Sequence, residues 1–92
     1  MIRSFKHKGL QRFFTESSSK GIRGDHIKRI RILLAQLDSA ESLKALDLPG
    51  IRLHPLKGAY QGFYSLTING NWRLVFRFVD GDVFEVDYLD YH

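Results

Sequence analysis

The chain has 92 residues, enough for one small domain over residues 1–92 with a modest core. It contains no cysteine, which excludes a disulfide framework and a thiolate metal site, and no apolar run approaches the length of a membrane span. The formal charge is +4 and unevenly spread: residues 1–37 carry nine Lys or Arg against two acids, a net +7, and the remainder carries five against eight, a net −3.

A basic half on a small protein suggests a polyanionic partner, with nucleic acid first. The residues that would form such a surface are Lys6, Lys8, Arg12, Lys20, Arg23, Lys28, Arg29 and Arg31. No signal peptide is visible at Met1-Ile2-Arg3, so a cytoplasmic location is the simplest expectation, with no membrane partner.

Ile2 to Phe5 is expected to form a short strand. Lys8 to Ser17 reads as a helix, with Leu10, Phe13 and Phe14 on one face and Gln11, Arg12 and Glu16 on the other. Ser17-Ser18-Ser19-Lys20-Gly21 is a loop in which Gly21 stops that helix. The second helix is the clearest. Asp25 stands where an N-cap or first-turn acid belongs, and Ile27, Ile30, Leu33, Leu34 and Leu37 recur at helical spacing. Ser39 is placed to cap a short third helix with Leu43 and Leu46 inward, which Leu48-Pro49-Gly50 ends.

From Gly62 onward the period is two. Tyr64, Leu66 and Ile68 share one face, as do Trp72, Leu74, Phe76 and Phe78, and then Phe84, Val86 and Tyr88. Asn69-Gly70-Asn71 and Asp80-Gly81-Asp82 are the turns. Three-residue connections would set Ile68 opposite Trp72, Leu66 opposite Leu74, Tyr64 opposite Phe76, Phe78 opposite Phe84, Phe76 opposite Val86 and Leu74 opposite Tyr88, giving one wholly apolar face. The fold class is therefore α+β: an antiparallel sheet made of an N-terminal strand and a three-stranded C-terminal meander. Two to three N-terminal helices pack on one face of that sheet. The other face would carry Arg73, Ser65, Thr67 and an Arg77–Glu85 pair.

This register brings the last residues beside the start of the middle strand. Asp90 falls opposite Trp72, and Tyr91 comes near Asn71 and Arg73. Asp90-Tyr91-His92 combine a carboxylate, a phenol and an imidazole, and Leu53-His54-Pro55-Leu56-Lys57-Gly58 offers a second imidazole and an ammonium. Proline keeps His54 extended, and Gly58 and Gly62 suit a loop that turns over the sheet. If the fold gathers these groups, they suit phosphodiester cleavage: imidazoles as acid and base near neutral pH, and cations on the phosphate. A solvated tail with two surface histidines is the alternative. Arg73 could grip a phosphate or pair with Asp87 or Asp90. No ligand spacing supports a metal site, no cofactor is implied, and His7 and His26 are assigned no chemistry.

Met1-Ile2-Arg3-Ser4-Phe5, the Arg52–Gly58 segment, Asn71-Trp72-Arg73-Leu74 and Asp90-Tyr91-His92 together resemble the HigB toxins, a branch of the RelE/ParE toxin superfamily. The resemblance implies a RelE-like fold and a ribosome-dependent mRNA endonuclease that cuts codons in the A site of the small subunit without metal. It also implies a HigA-type antitoxin, and operator DNA contacted only through the toxin–antitoxin complex. Carried over, His54, Asp90, Tyr91 and His92 are the catalytic group, Lys57, Asn71 and Arg73 contact substrate, and the basic half faces ribosomal RNA. Two other classes compete. Gyrase-inhibiting toxins of the same superfamily need no acid–base cluster, and a plain RNA-binding module would show exposed aromatics among basic residues on the sheet.

Overall fold

The computed structural model describes residues 1–91; His92 lies outside the described residues. Two α-helices come first, α1 (Lys8–Glu16) and α2 (Ile27–Ser39). Four strands follow, β1 (His54–Pro55), β2 (Tyr64–Asn69), β3 (Trp72–Val79) and β4 (Asp82–Asp90), in an antiparallel sheet of order β1-β2-β3-β4.

The helix ends are set by residues that the sequence pattern does not flag. His7 Nδ1 accepts the Leu10 N–H at 3.0 Å and so caps α1. Ser17, not Gly21, stops it. Ser17 takes the left-handed conformation (φ 59°), and the Ser18 N–H reaches back to the Arg12 carbonyl at 3.4 Å. Asp25 lies in a short 3-10 turn, Gly24–His26, that leads into α2, and it pairs with Arg23 at 3.2 Å. The expected third helix is only a 3-10 turn, Leu43–Leu46, capped by Ser42 Oγ and not by Ser39. Six residues between the Ser42 cap and Pro49-Gly50 are too few to repay helix nucleation.

Leu10, Phe13, Ile30, Leu33, Leu34 and Leu37 from the helices pack on Leu66, Leu74, Phe76, Val83, Val86 and Tyr88 from the sheet. In the first hairpin Leu66 faces Leu74 and Tyr64 faces Phe76, as the alternation requires. The register then shifts, so that Asn69, and not Ile68, is the partner of Trp72. The second hairpin departs further. Leu74 faces Tyr88, but Phe78 faces Val83, not Phe84. The cause is a bulge on β4, where Glu85 adopts φ 56°, which moves Val83 onto the core face and Phe84 off it. The Arg77–Glu85 pair still forms, at 3.0 Å.

The N-terminal segment is not a full strand. It runs alongside β4 through two isolated parallel bridges, Ile2 with Val83 and Phe5 with Val86. Beyond the two-residue β1, the outer edge of β2 is closed differently. The Thr67 N–H donates to Ile51 O at 3.0 Å. The Thr67 carbonyl accepts from Arg29 Nη2 at 3.0 Å, and the same nitrogen reaches Gly50 O at 2.6 Å.

Candidate functional site: a groove on the open face of the sheet

Cross-strand partners point to the same face, so the ladder fixes which side chains can meet. His54 pairs with Ser65, Ser65 with Val75, and Val75 with Asp87. One row further on, Thr67 pairs with Arg73 and Arg73 with Leu89. Both rows face away from the helices, since Leu66, Leu74 and Tyr88 between them are core. The Tyr91 N–H extends the pattern by donating to Asn71 O at 2.8 Å. His54, Arg73 and Tyr91 therefore share the open face.

There they line a groove of about 590 Å³ together with Pro55, Leu56 and Lys57. Its loop side is tied at the base, because Leu56 donates to Phe63 O at 2.9 Å and Phe63 to Tyr60 O at 2.9 Å. The Tyr60 ring meets both Phe63 (5.9 Å) and Tyr91 (5.8 Å) edge-on, which supports the phenol wall. Arg73 Nη1 is held by the Gly70 carbonyl at 2.5 Å and the Trp72 carbonyl at 3.1 Å. That anchors the guanidinium while its Nε and Nη2 retain three further N–H donors for a ligand. His54 and Lys57 are exposed, and Arg73 and Tyr91 are half-buried.

Of the residues singled out in the sequence, His54, Lys57, Arg73 and Tyr91 come together in this groove. Asn71 adjoins it through its carbonyl. Asp90 is opposite Trp72, as the register requires, and so belongs to the alternate row on the helix side. Among the described residues, no three His, Asp or Glu side chains are grouped to hold a metal ion. Pro55, Leu56 and Tyr60 were not singled out. The apolar flanks of His54 and Lys57 were the available signal for the first two, and Tyr60 carried none.

The basic residues divide. Lys6, Lys8, Arg12, Lys20, Lys28 and Arg31 are exposed on the helical side, and the Arg31 guanidinium lies over the Phe13 ring at 5.4 Å. Arg23 lies over Trp72 at 5.7 Å, and its pairing with Asp25 holds that exposed carboxyl below the usual range. Arg29 is half-buried, and its guanidinium is engaged by the Thr67 and Gly50 carbonyls.

The chain arrives at this geometry together with close sequence kin. The family model described as RelE-like toxin of type II toxin-antitoxin system HigB matches residues 3–92. An "Endoribonuclease HigB" from Proteus vulgaris is 40% identical over 92 residues, covering 100% of both chains. A "Toxin HigB-1" from Vibrio cholerae is 32% identical over 94 residues, covering 100% of this chain and 98% of that one. In structure the chain is similar to the YoeB–YefM complex from Staphylococcus aureus, with a TM-score of 0.58, 21% identity, and coverage of 100% of this chain and 95% of that one. At that identity the likeness concerns the fold alone.

Proposed function

The chain belongs to the HigB-like family of RelE-like toxins from type II toxin–antitoxin systems, and from that premise we propose that it is an endoribonuclease that cuts messenger RNA on the ribosome. The observation that carries the reading is the groove: an imidazole, two cations and a phenol converge on one face, on strands and a loop tied by backbone hydrogen bonds. The relative named an endoribonuclease matches over its full length, which supports the same chemistry.

In this reading Arg73 and Lys57 hold the scissile phosphate and stabilise its growing charge. Tyr91 donates to the phosphate or stacks on a neighbouring base. His54 and His92 divide the two proton transfers. One takes the proton from the 2′-OH, whose oxygen attacks phosphorus. The other protonates the 5′ oxygen as the P–O5′ bond breaks. A 2′,3′-cyclic phosphate and a 5′-hydroxyl end result. Asp90 acts from the strand end, orienting an imidazole or serving as base. The roles of Asp90 and His92 rest on the resemblance and not on the groove.

The same reading makes the exposed basic helical side a surface for ribosomal RNA and gives the toxin a HigA-type antitoxin that holds it inactive. Residues 1–92 work as one cytoplasmic toxin domain. No helix among the described residues is long and apolar enough to cross a membrane. The test is to induce the protein in cells and map new 5′-hydroxyl ends on a translated reporter. In-frame cuts that require translation are expected, and His54→Ala and His92→Ala should each reduce them about 10²-fold while leaving the fold intact. Growth arrest without new ends would replace the nuclease reading with a gyrase-type toxin.

A further inference from the structure

A second cluster lies behind the groove, on the helix side of the sheet. His26 is 1% exposed and sits where the Gly24–His26 turn enters α2. Its Nδ1 is 2.7 Å from Tyr88 Oη, and its ring meets Trp72 at 5.4 Å and Tyr88 at 5.9 Å, both edge-on. The Trp72 and Tyr88 rings are 5.0 Å apart. Tyr88 Oη also accepts the Arg23 N–H at 3.4 Å, and the His7 ring lies 5.4 Å from the phenol ring.

A polar ring is costly to bury unless its nitrogens are hydrogen-bonded, and an apolar side chain would fill the same space without that demand. What the imidazole adds is direction. Tyr88 is the last buried residue of β4, and the described residues that follow it are Leu89, Asp90 and Tyr91. An apolar ring can slide across its packing surface, whereas a hydroxyl hydrogen-bonded to a ring nitrogen at the entry to α2 fixes how far and at what depth the strand end lies. Trp72, in contact with both residues, directly precedes Arg73, and its strand partner is Asp90.

We propose that His26 is a positioning residue for the groove: through Tyr88 it locks the end of β4 to the start of α2, so that Tyr91 and the residues beside it hold their place against Arg73 and His54. The catalytic part of this statement rests on the nuclease reading; the mechanical part does not. Tyr88→Phe removes one oxygen, His26→Leu removes the ring nitrogens, and His26→Asn returns an oxygen near the place of Nδ1.

The experiment measures amide hydrogen exchange and backbone ¹⁵N relaxation in the three variants, alongside cleavage in a translating extract. In Tyr88→Phe and His26→Leu, the amides of Leu89, Asp90 and Tyr91 should exchange about tenfold faster, or show greater mobility by relaxation, while the α2 amides of Ile30 and Leu33 stay close to wild type. The kcat should fall about tenfold with KM little changed, since a misplaced group costs the transition state more than binding. His26→Asn should restore part of both. Tyr88→Phe decides the matter if His26→Leu does not fold. Equal acceleration across α2 and the strand end would reduce the cluster to general stability and overturn the proposal, as would an unchanged strand end. If the wild-type protein cut nothing, the nuclease reading would fall and the exchange data alone would decide the mechanical claim.

Discussion

Replacing Arg29 separates two roles that charge alone cannot distinguish. Lys28, Arg29 and Arg31 all lie on the polar side of α2, yet only Arg29 directs its guanidinium onto the Thr67 and Gly50 carbonyls. Thr67 lies on the outer edge of β2 beyond β1, so its carbonyl has water as the main alternative partner. A hydrogen bond from a charged donor contributes about 1.5–3 kcal/mol when buried; at this half-buried site about 1 kcal/mol per carbonyl is the better figure. Arg29→Met, which keeps the apolar stem, should therefore destabilise the fold by about 2 kcal/mol, a fall of roughly 8–16 °C in the thermal midpoint for a chain of this size. Arg29→Lys keeps the charge, but its stem ends one bond short of Nη2 and it has no second nitrogen to take the place of Nε on Thr67 O, so about half the loss should remain. Circular dichroism melts of the three proteins, with cleavage measured at a temperature where all are folded, make the test. A midpoint within about 2 °C of wild type, with cleavage lost, would refute the structural assignment and return Arg29 to the RNA-facing set.

Phe76 is fully buried at the centre of the core, so Phe76→Ala should cost about 3–5 kcal/mol in urea unfolding, close to the whole stability of a small domain. Glu85→Val should destabilise by about 1–2 kcal/mol although valine favours strands, because φ 56° is a conformation that β-branched residues resist; an unchanged urea midpoint would show that the bulge relaxes. Burial raises the Tyr88 phenol above its ordinary 10.0. Its proton is thus held more tightly folded than unfolded, a contribution fully present below about pH 10 and lost as pH rises through the folded value. An alkaline absorbance titration should show one phenol ionising late and together with unfolding, and Tyr88→Phe should remove that step.

Much of the fold was legible because period-two alternation and period-3.6 stripes are direct consequences of burying one face. Leu66 opposite Leu74 and Asp90 opposite Trp72 followed from it, and with them the approach of Tyr91 to Arg73. The second hairpin was not legible. Asp80-Gly81-Asp82 fits a two- or a three-residue turn, and the choice was made by Glu85, a residue whose type does not announce a left-handed backbone. The N-terminal strand shrank to two bridges, Ile2 with Val83 and Phe5 with Val86, and the third helix shrank to a single turn because so short a segment does not repay nucleation. In the groove, His54 and Lys57 were legible from their loop, and Arg73 and Tyr91 from register. The buried His26 was indistinguishable in the sequence from a surface histidine on a basic helix.

The bridges between the N-terminal segment and β4 also set the order in which the molecule can be completed. The Arg3 N–H reaches Val83 O at 2.7 Å, and Ser4 Oγ accepts the Glu85 N–H at 2.8 Å. Residues 2–5 thus find their partners only after the helices and the first hairpin have been synthesised. Until β4 emerges, the stripe Ile30, Leu33, Leu34 and Leu37 lacks Val83, Val86 and Tyr88, part of the sheet face that buries it. A nascent chain can form helical turns and the first hairpin, but it cannot close the core or bring Tyr91 to the groove. Maturation is therefore a late, nearly all-or-none event, and a chain interrupted anywhere before β4 carries neither a finished fold nor a finished groove.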